Sequence, residues 1–134
     1  MGCSPGLLAS GGKLFAIGGF AEATYEPMAE VEVFDPAVGH WAPVARMAIA
    51  RAEFGSAVGP DGVICVAGNY GDSDSDSGYD PKLDRWFSVT SMPVPRTNCA
   101  AGVLGDSFYV LGGSGGKFFE PLRSTDRLVL PPSS

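Results

Sequence analysis

One histidine, three cysteines and a short acidic run are the residues that could carry chemistry, and their spacing argues against most of it. His40 stands alone ahead of Trp41, and the chain has no Gly-x-Ser-x-Gly, phosphate-binding glycine loop, Cys-x-x-Cys or histidine-rich metal spacing. No catalytic residue is assigned. Asp72, Asp74 and Asp76 alternate with serine like the first ligands of a calcium loop, but Ser77 stands where that loop needs glycine and Leu83 where it needs a bidentate glutamate. The run reads as a solvated acidic loop, and neither a metal nor a cofactor is expected. Cys3, Cys65 and Cys99 make an odd count, and the last two lie in apolar runs where cysteine acts as a small hydrophobe. A reduced, cytoplasmic protein is the simplest expectation.

Charge narrows the partners. The net charge is −6 and the basic residues are scattered, with no basic stripe and no aromatic-basic interleaving, so a nucleic acid partner is not expected. No apolar run is long enough for a membrane span, and no secretory leader can be read. Gly2 and Cys3 raise the question of acylation, but Gly6 occupies the position where a myristoylation signal needs Ser or Thr. Residues 1–5 read as a disordered terminus.

The elements that position these residues follow a repeat. Asp80-Pro81 follows Asp35-Pro36, Trp86 follows Trp41, Met92 follows Met47 and Arg96 follows Arg51, each by the same 45 residues. Gly68 and Gly113 keep that distance, whereas Gly19 and Gly68 are 49 apart. The extra residues fall in the loop after the first glycine pair, as an insertion confined to one loop of a repeat should. Each module opens with a hairpin, as in Gly6–Ala9 and Lys13–Ile17 around Ser10-Gly11-Gly12, and closes its second strand on glycine. The marks are Gly18-Gly19, Ala67-Gly68 and Gly112-Gly113. A third strand, Ala29–Phe34, alternates apolar and acidic residues and so is half-buried. Asp-Pro then starts a turn, and Trp41 or Trp86 opens a fourth strand, where an indole can fill the wedge between neighbouring sheets.

Apolar run, Gly-Gly, variable loop, aromatic-Asp-Pro, Trp, Met, Arg: this succession resembles the kelch repeat, over about Gly6 to Leu130. The resemblance implies an all-β chain of four-stranded antiparallel blades, and about two and three-quarter repeats imply an incomplete β-propeller. The modules are expected at about 6–51, 52–96 and 97–130, with 131–134 as a tail. The last module lacks a fourth strand, since Pro131-Pro132-Ser133-Ser134 stands where Asp-Pro and Trp should follow. So few blades cannot close a ring alone. Either the chain is a piece of a longer propeller, or identical chains complete a ring as a homo-oligomer.

Kelch propellers mostly serve as protein-interaction scaffolds, so the resemblance implies a non-catalytic module that binds a protein partner through loops on one face. A fragment that acts only within a closed ring is the alternative, and a kelch-like sugar-acting enzyme a more remote one. The expected contact residues are Tyr25, Glu26, Asn69, Tyr70, Asp72, Asp74, Lys117, Phe118 and Phe119, on the loops after the glycine pairs. Arg51 and Arg96, identical in repeat position, are expected to donate to carbonyls between blades.

Overall fold

The protein is described by a computed structural model covering residues 5–69, 76–89, 96–115, 120–121 and 125–129. Among these residues the chain is all strand and turn. The first sheet is an antiparallel meander of β1 (Gly6–Ser10), β2 (Lys13–Ile17), β3 (Val31–Phe34) and β4 (Trp41–Pro43). The second repeats it with β5 (Gly55–Val58), β6 (Ile64–Ala67), β7 (Asp76–Asp80) and β8 (Arg85–Val89). The third has β9 (Ala100–Leu104), β10 (Ser107–Leu111) and β13 (Thr125–Val129), with a separate two-stranded ribbon of β11 (Ser114–Gly115) and β12 (Glu120–Pro121). That ribbon lies in the loop expected after the third glycine pair. β1, β5 and β9 lie side by side along the inner edge, so the sheets stand as successive blades of an incomplete propeller.

Burial follows from each sheet's neighbours. β6 is buried at all four positions, because its two faces belong to different cores. Ile64 and Val66 pack with Tyr79 against Phe15, Ile17, Val31 and Met47 of the first sheet. Cys65 and Ala67 pack with Ala57 against Phe108 and Val110 of the third. A strand covered on both faces reads as a continuous apolar run, whereas β3, covered on one, alternates Val31 and Val33 with acidic Glu32. Burial holds both inner thiols protonated: the Cys65 thiol is pushed up to about 11 and that of Cys99 is also raised.

Register corrects the repeat spacing by one residue. Gly6 faces Ile17 and Gly55 faces Ala67, so Gly18, not Gly19, is the counterpart of Gly68. Leu111 facing Ala100 makes Gly112 the third member. The shift has a physical cause, since the β1–β2 turn has two residues, Gly11 and Gly12, while Gly59 and Val63 add a further bonded pair beyond Val58 and Ile64 that leaves three. Residue types alone hid this, because Gly-Gly in the first module suggested either match.

Candidate functional site

The sheet ends that carry the glycines also carry the arginine segments, and backbone hydrogen bonds weld the two into a seam. Gly19 N donates to Arg51 O at 2.8 Å, Arg51 N to Met28 O at 2.9 Å, and Asn69 N to Arg96 O at 3.0 Å. Thr97 and Ser114 exchange a further pair. The approach requires residues without a side chain. Gly18 and Gly68 sit at φ 56° and 81°, and a Cβ there would lie 2.4 and 2.5 Å from the carbonyl oxygens of Arg51 and Arg96.

Each arginine then crosses to the next sheet. Arg51, fully buried, donates from Nη1 to Gly68 O at 2.8 Å and from Nη2 to Ser77 Oγ at 3.3 Å. Burial lowers the guanidinium pKa, and the charge of nearby Asp76 opposes that fall. Arg96, also fully buried, donates to Gly112 O at 2.8 Å and, through Nε and Nη2, to Asp126 Oδ2 at 3.2 and 3.1 Å. Breaking such a pair typically costs about 3–5 kcal/mol, because a buried charge is left without its partner.

Asp76 corrects the reading of the acidic run. It is 3% exposed and opens β7 opposite Ala67, so it belongs to the sheet beside Arg51 and not to a solvated loop. Asp76, Ser77 and Asp126 were the polar partners missed in the sequence. The distances of Ser77 and Asp126 along the chain from their arginines differ, and only strand register brings these two to corresponding places, with Asp76 one residue ahead of Ser77.

The seam presents one loop in full. Residues 20–27 fold back through the Phe20–Pro27 bridge, with Ala21 N donating to Glu26 O and Tyr25 N to Ala21 O. Tyr25 is 71% exposed at φ 57°, and Glu26 is exposed beside it. Asn69 is placed differently. Its side-chain amide donates to Ala50 O and its Oδ1 accepts from Ala52 N, so both ends hold the seam. Tyr70, Asp72, Asp74, Lys117, Phe118 and Phe119, named as contacts from the sequence, lie outside the described residues. Glu53 and Asn98, at the same place in successive modules, both adopt positive φ, 53° each, and Asn98 N donates to Glu53 O at 2.6 Å. Nothing in residue type announced this for a glutamate.

The tryptophans occupy unlike settings. Trp86 Nε1 donates to Ala45 O at 2.8 Å, and its ring lies 5.0 Å from that of Tyr79. Asp84 Oδ1 accepts from Tyr79 OH at 2.7 Å and from Ala45 N at 2.9 Å, so the end of the first sheet is clasped by the second. Trp41 instead is 37% exposed, and its ring lies tilted at 46° to that of Phe34 of its own sheet, centroids 5.5 Å apart. The expectation that both indoles fill a wedge between sheets fails for Trp41, because no described sheet lies against that face.

Among the described residues, no group of three or more His, Cys, Asp and Glu could hold a metal ion, and His40 is an exposed turn residue. No helix among them is long and apolar enough to cross a membrane.

Comparison with known proteins bears on this architecture. Residues 1–48 match the family described as "Kelch motif". The chain is 31% identical over 135 residues to an F-box/kelch-repeat protein of Arabidopsis thaliana, an alignment covering 96% of this chain and 33% of that protein. To Kelch-like protein 23 of Pongo abelii it is 27% identical over 108 residues, covering 77% of this chain and 19% of that one. The chain thus spans a third or less of the length of these relatives. A fungal alcohol oxidase of the AA5 family, solved in complex with copper, superposes with a TM-score of 0.71 at 23% identity, over 90% of this chain and 29% of that one. At that identity the likeness is one of fold.

Proposed function

We propose, from the premise that the chain belongs to the kelch-repeat family of β-propellers, that it is a non-catalytic interaction module of a cytoplasmic scaffold. It binds a protein partner through the loops along the arginine seam. The observation that carries this reading is the 20–27 loop, which holds a large aromatic 71% exposed and a carboxylate beside it on a frame fixed by buried hydrogen bonds. A rigid seam with dissimilar loops is the arrangement that recognition on a repeat scaffold uses. Tyr25 supplies amphipathic contact area at small entropic cost and Glu26 supplies charge. Asn69 positions the seam, and Tyr70, Asp72, Asp74, Lys117, Phe118 and Phe119 are proposed as further contacts, from their sequence positions after the glycine pairs. The modules lie at about 6–51, 52–96 and 97–130.

Chemical cross-linking of the chain in a cell extract, read by mass spectrometry, tests this. The paired change Tyr25→Ala and Glu26→Ala should abolish the major cross-linked partner, while Lys82→Ala with Leu83→Ala, in the turn at the opposite end of the second sheet, should leave it. Equal capture by both variants would sink the reading. Action only within a closed ring is the second reading, favoured by the exposed face around Trp41, and light scattering that finds a defined oligomer would support it.

A further inference from the structure

The joint between the first and second sheets is hydrogen-bonded at two places and open between them. On the inner side the buried Ser10 donates from Oγ to Gly62 O at 2.7 Å, which ties the β1–β2 turn to the β5–β6 turn. On the outer side Ala45 is held by Asp84 and by Trp86 Nε1. Pinned at both sides, the sheets do not close on each other. The space left is a cleft of about 440 Å³, within the roughly 300–1,000 Å³ usual for small-molecule sites.

Its depth is apolar and its rim is charged. Val33 and Val44 line it with Phe15 and Tyr79, whose rings meet edge to face with centroids 5.8 Å apart. The rim carries Lys13 on the first sheet and Lys82, Asp61 and Asp84 on the second. These charges are unequally engaged. Asp84 already accepts from Tyr79 OH and Ala45 N. Lys13 meets Asp35 at 3.8 Å, beyond hydrogen-bond reach, and Lys82 has no ion pair among the described residues. Two ammonium groups able to take a hydrogen-bonded partner, against the single carboxylate of Asp61, favour an anion.

Register shows that this equipment belongs to one joint and not to the repeat. With Gly6 matched to Gly55 and Ile17 to Ala67, Ser10 corresponds to Gly59 and Lys13 to Val63. At these two places the second sheet brings neither hydroxyl nor ammonium to its joint with the third. Framework residues recur along a row of repeats, whereas recognition residues differ.

We propose that this cleft binds a small aromatic carboxylate, its flat body between the two sheets against Val33 and Val44 and its carboxylate bridged by Lys13 and Lys82. The lysines come from different sheets, so the bound anion adds an ionic link across the joint. The site lies on turns away from the 20–27 loop, and a small molecule held there is independent of the protein partner proposed for that loop.

Amide NMR of the full chain, titrated with naphthalene-2-carboxylate and separately with the neutral naphthalene-2-carboxamide, tests this. The acid should shift the amides of Ser10 to Lys13, Asp61 to Val63 and Lys82 to Asp84 along one saturating curve, with a Kd of about 1 mM for a fragment of this size. The amide of Tyr25 should stay in place. The carboxamide should bind about fivefold more weakly, the scale of exposed ion pairs. Lys13→Gln combined with Lys82→Gln should lower the affinity for the acid to that for the carboxamide and leave the latter unchanged. Both lysines are exposed, and the Trp86 indole proton reports that the fold is kept. Tyr25→Ala with Glu26→Ala should bind the acid as the unaltered chain does. No saturable shift at these turns, equal affinity for acid and carboxamide, or an equal loss of both ligands in the lysine variant would overturn the proposal. Shifts confined to the exposed face around Trp41 would overturn it too, as adsorption to open apolar surface.

Discussion

Trp86 and Trp41 stand at one place in successive sheets, pair with the corresponding aromatic residue, and meet different fates. Trp86 is met by the first sheet, whose Ala45 carbonyl accepts from its indole, whereas Trp41 stays 37% exposed, with Phe34 of its own sheet as its ring contact among the described residues. An indole at this position is therefore buried by its predecessor, not by the sheet that bears it. The arginines obey the same logic, each reaching forward into the next sheet to acceptors that its own sheet does not provide.

The largest test of that asymmetry removes the side chains. Arg96→Met should lower the unfolding free energy by about 3–5 kcal/mol, since it strands Asp126 in the joint, and Arg51→Met should cost a similar amount through Asp76. Urea titration measures both. If Asp126→Leu recovers much of the Arg96→Met loss while Ser77→Ala recovers nothing of the Arg51→Met loss, the joints differ in where their counter-charge sits. Trp86→Ala should cost about 3 kcal/mol or more, as truncation of packed aromatics does, and Trp41→Ala about 1 kcal/mol or less. Equal losses would erase the distinction between the two indoles.

A smaller effect is set by pH. Hydrogen bonds from Tyr79 OH and Ala45 N hold Asp84 below the usual aspartate range. The unfolded chain thus takes up this proton first as pH falls. The stabilisation is complete above about pH 4 and disappears as pH drops through the lower folded value. Asp84→Asn should flatten the acid limb of the stability curve, with a loss near neutral pH of at most about 1 kcal/mol, because the carboxylate is exposed. An unaltered limb would detach Asp84 from the clasp. The smallest change concerns the linkers. Glu53→Asn should raise stability by up to about 1 kcal/mol by easing a left-handed backbone that glutamate dislikes, and Asn98→Gly should alter it less. Thermal unfolding would show both.

The same residues explain how much was legible in the sequence. The repeat was plain, because Asp-Pro, Trp and Arg are each required by a turn or a joint and recur at fixed spacing. β6 could be read as a strand from its apolar run, and the Tyr25 and Glu26 loop from its place after the first glycine pair. Pairwise partners could not be read. Asp126 and Ser77 answer equivalent arginines from β13 and β7, but loops of unequal length separate them from those arginines, so no fixed offset betrays them. The one-residue slip at Gly18 has the same origin, a hairpin turn longer by one residue, which only pairing reveals. Exposure of Trp41 was hidden because an indole's surroundings belong to another module.

The double-sided packing of β6 also bears on how the chain comes apart. In a row where each sheet touches only its neighbours, stability is close to a sum of local terms and joint terms. The second sheet shares in two joints and each flanking sheet in one described joint. Amide protons of Ile64 to Ala67 should therefore exchange last, and only when the whole row melts, while β1 and β13 exchange through partial openings that leave the centre intact. The central sheet thus sets the slowest clock in the molecule, and a protease given time would trim the flanks towards it.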